Sequence, residues 1–115
     1  LWGSGTPLRE FLYVDDLARA CVMLMENPAA EGIYNIGAGE DLSIAELARL
    51  VAQVVGYRGN IVYDASKPDG TPRKLMDSSR VRALGWKPEI SLIHGVTLAY
   101  GHFLREQARQ PLPVA

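Results

Sequence analysis

Leu8-Arg9-Glu10-Phe11-Leu12-Tyr13-Val14-Asp15-Asp16-Leu17-Ala18-Arg19-Ala20-Cys21-Val22-Met23-Leu24-Met25-Glu26 changes its hydrophobic period halfway along. From Leu8 to Val14, strand-favouring residues stand in rough alternation, with Phe11 and Tyr13 against Leu12 and Val14. Asp15 stops that run. From there Leu17, Ala20, Cys21 and Leu24 recur at helical spacing until Asn27-Pro28 ends the pattern, so Asp15 or Asp16 reads as the N-cap of a helix to about Glu26. A period near two giving way to one near 3.6 is a strand feeding a helix.

The same alternation continues outward. Ile33-Tyr34-Asn35-Ile36 reads as a brief buried strand closed by Gly37-Ala38-Gly39, and Ser43-Ile44-Ala45-Glu46 is a capping box. The helix it opens carries Ile44, Leu47, Val51 and Val54 on one face and stops at Gly56. Asn60 to Asp64 reads as a third strand. A short helix follows from Asp77 or Ser78 to Leu84, with Gly85 and Pro88 beyond it. The last helix, Ser91 to about Gln107, aligns Leu92, Val96, Ala99 and Phe103, although Gly95 and Gly101 weaken it by about 1 kcal/mol each relative to alanine. Residues 1–107 thus read as one domain and 108–115 as a tail expected to be disordered. The fold class is α/β, with three short strands and about four helices, too few strands for a self-sufficient sheet.

Composition narrows the function. The chain has 115 residues, 48% of them hydrophobic, enough for one modest core. Twelve basic and 13 acidic residues give a net charge of −1, with no basic footprint for nucleic acid and no charged tail for a membrane. The single cysteine, Cys21, excludes an internal disulfide and fits a reducing, cytoplasmic setting. Cys21, His94 and His102 are not spaced as a metal-ligand set. The chain opens on Leu1, inside what reads as an ordered turn, and so reads as a piece of something longer.

Several motifs invite chemistry and decline it. Tyr63-Asp64-Ala65-Ser66-Lys67 has the spacing of a Tyr/Lys proton-transfer pair, but that chemistry needs both side chains on one helical face, and Pro68 pushes Lys67 out of the helical region. A dinucleotide cradle needs a third glycine after Gly-x-Gly; Leu8 follows Gly3-Ser4-Gly5 at that position and Leu42 follows Gly37-Ala38-Gly39. Asp15 and Asp16 point in different directions at a helix start, where capping explains them. Cys21 falls on an apolar stripe, where a small buried thiol is ordinary. His94 and His102 have no neighbouring nucleophile to activate.

What remains is Trp2 and Arg9 at one end of the chain, and Lys67, Asp69 and Arg73 in the polar loop 65–77, stiffened by Pro68 and Pro72. Arginine offers bidentate donors suited to a diphosphate, lysine a point charge, tryptophan a stacking surface, and aspartate an acceptor for a sugar hydroxyl or base amide. Solvated surface charge is the competing reading. The restrained Pro-Asp-Gly-Thr-Pro frame, set before any ligand arrives, favours binding.

Trp2-Gly-Ser-Gly-Thr-Pro-Leu-Arg9-Glu-Phe-Leu-Tyr-Val-Asp-Asp16, Tyr34-Asn-Ile-Gly37, Lys67-Pro-Asp-Gly-Thr-Pro-Arg-Lys74 and Leu84-Gly-Trp86-Lys-Pro88 resemble the C-terminal part of the GDP-L-fucose synthases, epimerase/reductases of the extended short-chain dehydrogenase class. The resemblance runs from about Trp2 to Arg105. It implies a small C-terminal substrate-binding domain with the Rossmann half absent, a GDP-4-keto-6-deoxymannose substrate, and Trp2, Arg9 and Asp69 at the family's substrate contacts. Lys67 and Arg73 join them on charge and position. It also implies NADP(H) and the catalytic residues on the missing half, with no cofactor and no catalysis in this chain; a homodimeric parent, with self-association of the fragment; and neither nucleic acid nor membrane as partner. Two alternatives stay open: another nucleotide-sugar enzyme of the class, such as a dehydratase or 4-epimerase, and a stand-alone nucleotide-sugar-binding or interaction module.

Overall fold

The computed structural model describes residues 1–109. Three two-residue strands and four helices follow in the order β1 (Leu8–Arg9), α1 (Val14–Glu26), β2 (Leu42–Ser43), α2 (Ile44–Val55), β3 (Arg73–Lys74), α3 (Ser79–Ala83) and α4 (Leu92–Arg109). The sheet order is β2-β1-β3, with β2 antiparallel and β3 parallel to the central strand.

The α/β class and the numbers of strands and helices match the sequence reading, but only one strand is where that reading put it. The run from Leu8 to Val14 pairs over Leu8–Arg9 alone. Ile33–Ile36 forms no strand, and the arginines of α3 hold this stretch instead: Arg80 donates to the carbonyls of Ile33 and Glu31 while lying 4.4 Å from the centre of the Tyr34 ring, and Arg82 donates to Ala38 O. Of Asn60–Asp64, only Asp64 bridges, to Trp2. Conversely, β2 and β3 lie in stretches read as a helix cap and a loop. A strand needs a neighbour with free N–H and C=O groups, and pairing partners are not encoded locally.

Helix ends follow local chemistry more closely. Ser43 and Glu46 form the capping box, and Gly56 closes α2 in the left-handed conformation. At α1 the N-cap is Tyr13, without a side-chain cap bond, so neither Asp15 nor Asp16 caps it. Asp16 is buried instead. Its carboxylate accepts from Arg19 (2.5 Å) and from the backbone N–H groups of Glu89 (3.1 Å) and Ile90 (2.9 Å), pinning α1 to the entry of α4. Helix α4 runs through Arg109, two residues past the expected boundary of the domain; the rest of the expected tail, residues 110–115, lies outside the described residues. Gly95 weakens α4 locally but admits Tyr13, whose ring would lie 3.0 Å from any β-carbon there.

The core is small. Ala20, Val81 and Trp86 are buried, with Leu12, Met23, Leu24, Tyr34 and Ile36 packed around them. The apolar stripes are only half covered: Leu17 and Cys21 of α1 are exposed, as are Val51 of α2 and Phe103 of α4. No helix among the described residues is long and apolar enough to cross a membrane.

Candidate functional site

Residues 64–74 run alongside residues 1–9 in the same direction. At one end Asp64 N donates to Leu1 O (2.7 Å) and Gly3 N to Asp64 O (2.9 Å); at the other Leu8 N donates to Pro72 O (2.8 Å) and β3 pairs with β1. Between the paired residues Trp2↔Asp64 and Leu8↔Arg73, one segment advances six residues and the other nine. The longer segment therefore bulges, and the bulge is Lys67-Pro68-Asp69-Gly70.

Asp69 ties it down. Its two oxygens accept from Ser4 N (2.5 Å) and Ser4 Oγ (2.8 Å). Gly3 makes this approach possible: at φ +80° it sits in the left-handed region, and a side chain there would strike the Asp69 carboxylate. Lys67 Nζ stands 5.7 Å from the centre of the Trp2 ring, which is 78% exposed and so open to a flat ligand.

Arg9 lies on the central strand, in register with Lys74 of β3. Paired residues on neighbouring strands project from the same face, so two cations stand side by side. Arg9 donates to Leu8 O (2.6 Å), and its guanidinium lies beside Gly70 of the bulge, 3.9 Å from where a β-carbon would sit. Neither Arg9 nor Lys74 makes an ion pair among the described residues. Arg9, Glu10, Lys74, Leu75 and Met76 line a hollow of about 370 Å³. Glu10 lines the same hollow without pairing with either cation; its carboxylate accepts from Gly39 N (2.6 Å) and Met76 N (3.1 Å).

Arg73 is engaged elsewhere. It pairs with Asp41 through two bonds of 2.6 and 3.3 Å, a partnership that raises its already high pKa. Thus the structure gathers Trp2, Lys67 and Asp69 around one turn, places Arg9 beside the bulge, and turns Arg73 to Asp41. Sequence reasoning missed Lys74 and Ser4. Alternation along β3 could have pointed to Lys74, had the strand been recognised.

The glycine turns do not fit a dinucleotide. The space above Gly3 is filled by Asp69, that above Gly5 by Tyr63, that above Gly37 by Glu10 and that above Gly39 by Arg82. Thr6-Pro7 and β1 follow the first pair and β2 follows the second, so neither presents a helix N-terminus to a pyrophosphate. Neither Tyr63 nor Lys67, itself part of the bulge, lies in a helix.

Residues 1–37 match the model of the NAD dependent epimerase/dehydratase family. The chain is 52% identical over 105 residues to GDP-L-fucose synthase 1 of Arabidopsis thaliana, covering 91% of this chain and 32% of that protein. It is 51% identical to the GDP-L-fucose synthase of Escherichia coli K12, covering 95% of this chain and 37% of the relative. A crystal structure of a GDP-L-fucose synthetase from Naegleria fowleri bound to NADP superposes with a TM-score of 0.86 at 28% identity, over 94% of this chain and 35% of the other. The chain spans about a third of the length of the curated relatives it matches.

Proposed function

We propose, on the premise of that similarity to the GDP-L-fucose synthases, that this chain is the substrate-binding part of an NADPH-dependent epimerase/reductase and holds the nucleotide diphosphate of a GDP-4-keto-6-deoxymannose substrate. The observation that carries the reading is the register of Arg9 with Lys74, two cations without ion-pair partners among the described residues, at the rim of a hollow on the seam whose other end carries the exposed Trp2. Arg9 supplies planar donors to the diphosphate and Lys74 a point charge, while Trp2 offers its ring to the base or sugar. Lys67, held over the Trp2 ring, adds a third cation to the seam. Arg73 serves by placing β3 through Asp41. Reduction of the keto group and the acid/base steps fall to other residues than these, because among the described residues Tyr63 and Lys67 share no helix and the glycine turns are filled by neighbouring side chains. The one cysteine fits a cytoplasmic enzyme.

Titration of the 115-residue chain with GDP, followed by tryptophan emission and amide shifts, tests this. Arg9→Ala and Lys74→Ala are each expected to weaken GDP about 10-fold, as loss of a charge-assisted contact does, whereas Arg73→Ala changes it less than 2-fold. Equal loss in all three variants, or none, overturns the assignment. UDP binding as tightly as GDP favours a dehydratase or 4-epimerase of the same class.

A further inference from the structure

Ser4 plays no part in the reading above, yet its backbone N–H and hydroxyl both donate to the Asp69 carboxylate, at 2.5 and 2.8 Å, across 65 residues of sequence. The hydroxyl is itself oriented, because it accepts from Thr6 N (3.2 Å) and lies 2.7 Å from Thr6 Oγ1, leaving its proton for Asp69. Gly3, on the other side of Ser4, has no β-carbon to obstruct the carboxylate. These bonds fall at the middle of the bulge, the one stretch of the seam where no ladder bond joins its two segments. Lys67 and Gly70, which face Trp2 and Arg9, flank the latched residue.

We propose that Ser4 and Asp69 form a latch and act as positioning residues: the carboxylate sets the bulge over the Gly3-Ser4-Gly5 turn, and so sets Lys67 against Trp2 and Gly70 against Arg9. Asp69 then contributes to affinity for the diphosphate common to all nucleoside diphosphates, and not by selecting a base. This rests on the nucleotide-diphosphate reading for its ligand arm alone. The latch itself is a property of the free protein.

Two measurements on the 115-residue chain separate the possibilities. In the free protein, Asp69→Ala is expected to speed hydrogen exchange of the residue-4 amide about 10- to 100-fold, the loss of a bond to a charged acceptor, with the α2 amides unchanged. In nucleotide titrations, Ser4→Ala, Asp69→Asn and Asp69→Ala are expected to weaken GDP, ADP and UDP by a common factor of about 3- to 10-fold, and Ser4→Ala adds nothing once Asp69→Ala is present. Because Asp69 and Ser4 are exposed, the variants keep the fold, which far-UV circular dichroism checks. The latch is overturned if the residue-4 amide exchanges at the parental rate in Asp69→Ala, if Asp69→Asn weakens GDP alone, or if Ser4→Ala leaves all three affinities untouched. Failure of the parent chain to bind any nucleotide overturns the functional reading instead, and the exchange experiment still decides the latch.

Discussion

The seam between residues 1–9 and 64–74 and the apolar faces of α1 and α2 are built in opposite ways. Along the seam, exposed polar residues are closely tied: two backbone bonds at Asp64, two side-chain bonds from Ser4 at Asp69, and a parallel pair of strands at Arg73–Lys74. On the helices, strongly apolar residues have little to pack on. Met25 of α1 is 86% exposed and Val22 53%, Val51 and Val55 of α2 are each 37% exposed, and among the described residues three hydrophobic side chains make up the buried core. Hydrogen bonds are satisfied one pair at a time between nearby groups, whereas hydrophobic burial grows with the area of the covering surface. A loop can therefore be well defined where a core is sparse. Polar frames can position a ligand, but they contribute little net stability.

Changes on the two sides should therefore differ in kind. The largest effect is expected at Trp86, which carries much of the small core: Trp86→Ala should cost about 3–5 kcal/mol, and thermal or urea unfolding should lose its cooperativity. A cooperative transition only slightly shifted would mean that the exposed stripes bear more of the stability than their burial indicates.

Asp16 comes next, since it joins the sparse core to the backbone at Glu89 and Ile90. Burial by itself would raise its pKa; the bond from Arg19 and those from the backbone of Ile90 and Glu89 outweigh it and leave the carboxyl below the usual range. A depressed folded-state pKa stabilises the protein above the unfolded value, about 4, and that contribution is lost as pH falls through the lower folded value. Asp16→Ala should cost about 1–3 kcal/mol at neutral pH by leaving the N–H groups of Glu89 and Ile90 without their acceptor, while Arg19 keeps Glu89 and the Lys87 carbonyl. It should also flatten the loss of stability on acidification below about pH 4, measured as the melting temperature at each pH. An undiminished acid slope in the variant would assign the slope to Asp64, Asp77 and Glu46, whose pKa values are also lowered by local bonds.

The smallest change in stability is expected on α2. Val51 and Val55 line an apolar groove of about 400 Å³ with Leu1, Ile44, Leu47 and Tyr57. Val51→Lys should alter stability by less than about 0.5 kcal/mol, because the residue is 37% exposed, while reducing hydrophobic-dye binding and concentration-dependent association in sedimentation. Dye binding that persists unchanged would move the exposed apolar surface to α1.

Legibility followed the range of the interaction. Ser43 and Glu46 announced α2 because a capping box lies within four residues, and Pro28 and Gly56 marked ends through their own backbone preferences. Asp16 misled because an aspartate at a helix start is ordinarily a cap, and only the approach of Glu89 and Ile90 gives its carboxylate another task. Ile33–Ile36 has the composition of a strand, but no strand among the described residues pairs with it; Arg80 and Arg82 of α3 instead hold the carbonyls of Ile33 and of Glu31 and Ala38 on either side. At the site, Trp2, Arg9, Lys67 and Asp69 could be singled out by charge and rigidity. That Arg73 would turn to Asp41 and Lys74 stand beside Arg9 depends on a register between strands 65 residues apart.

By itself, then, the sequence determined the α/β class, the four helices, the stiffened polar loop and the similarity to nucleotide-sugar enzymes, because period, caps and proline act within a few residues. Only the tertiary structure decided which extended segments pair, which cation stands free and which is matched, and that Asp69 closes on Ser4. Those outcomes depend on contacts between distant segments, where two side chains a residue apart can face opposite sides of a strand.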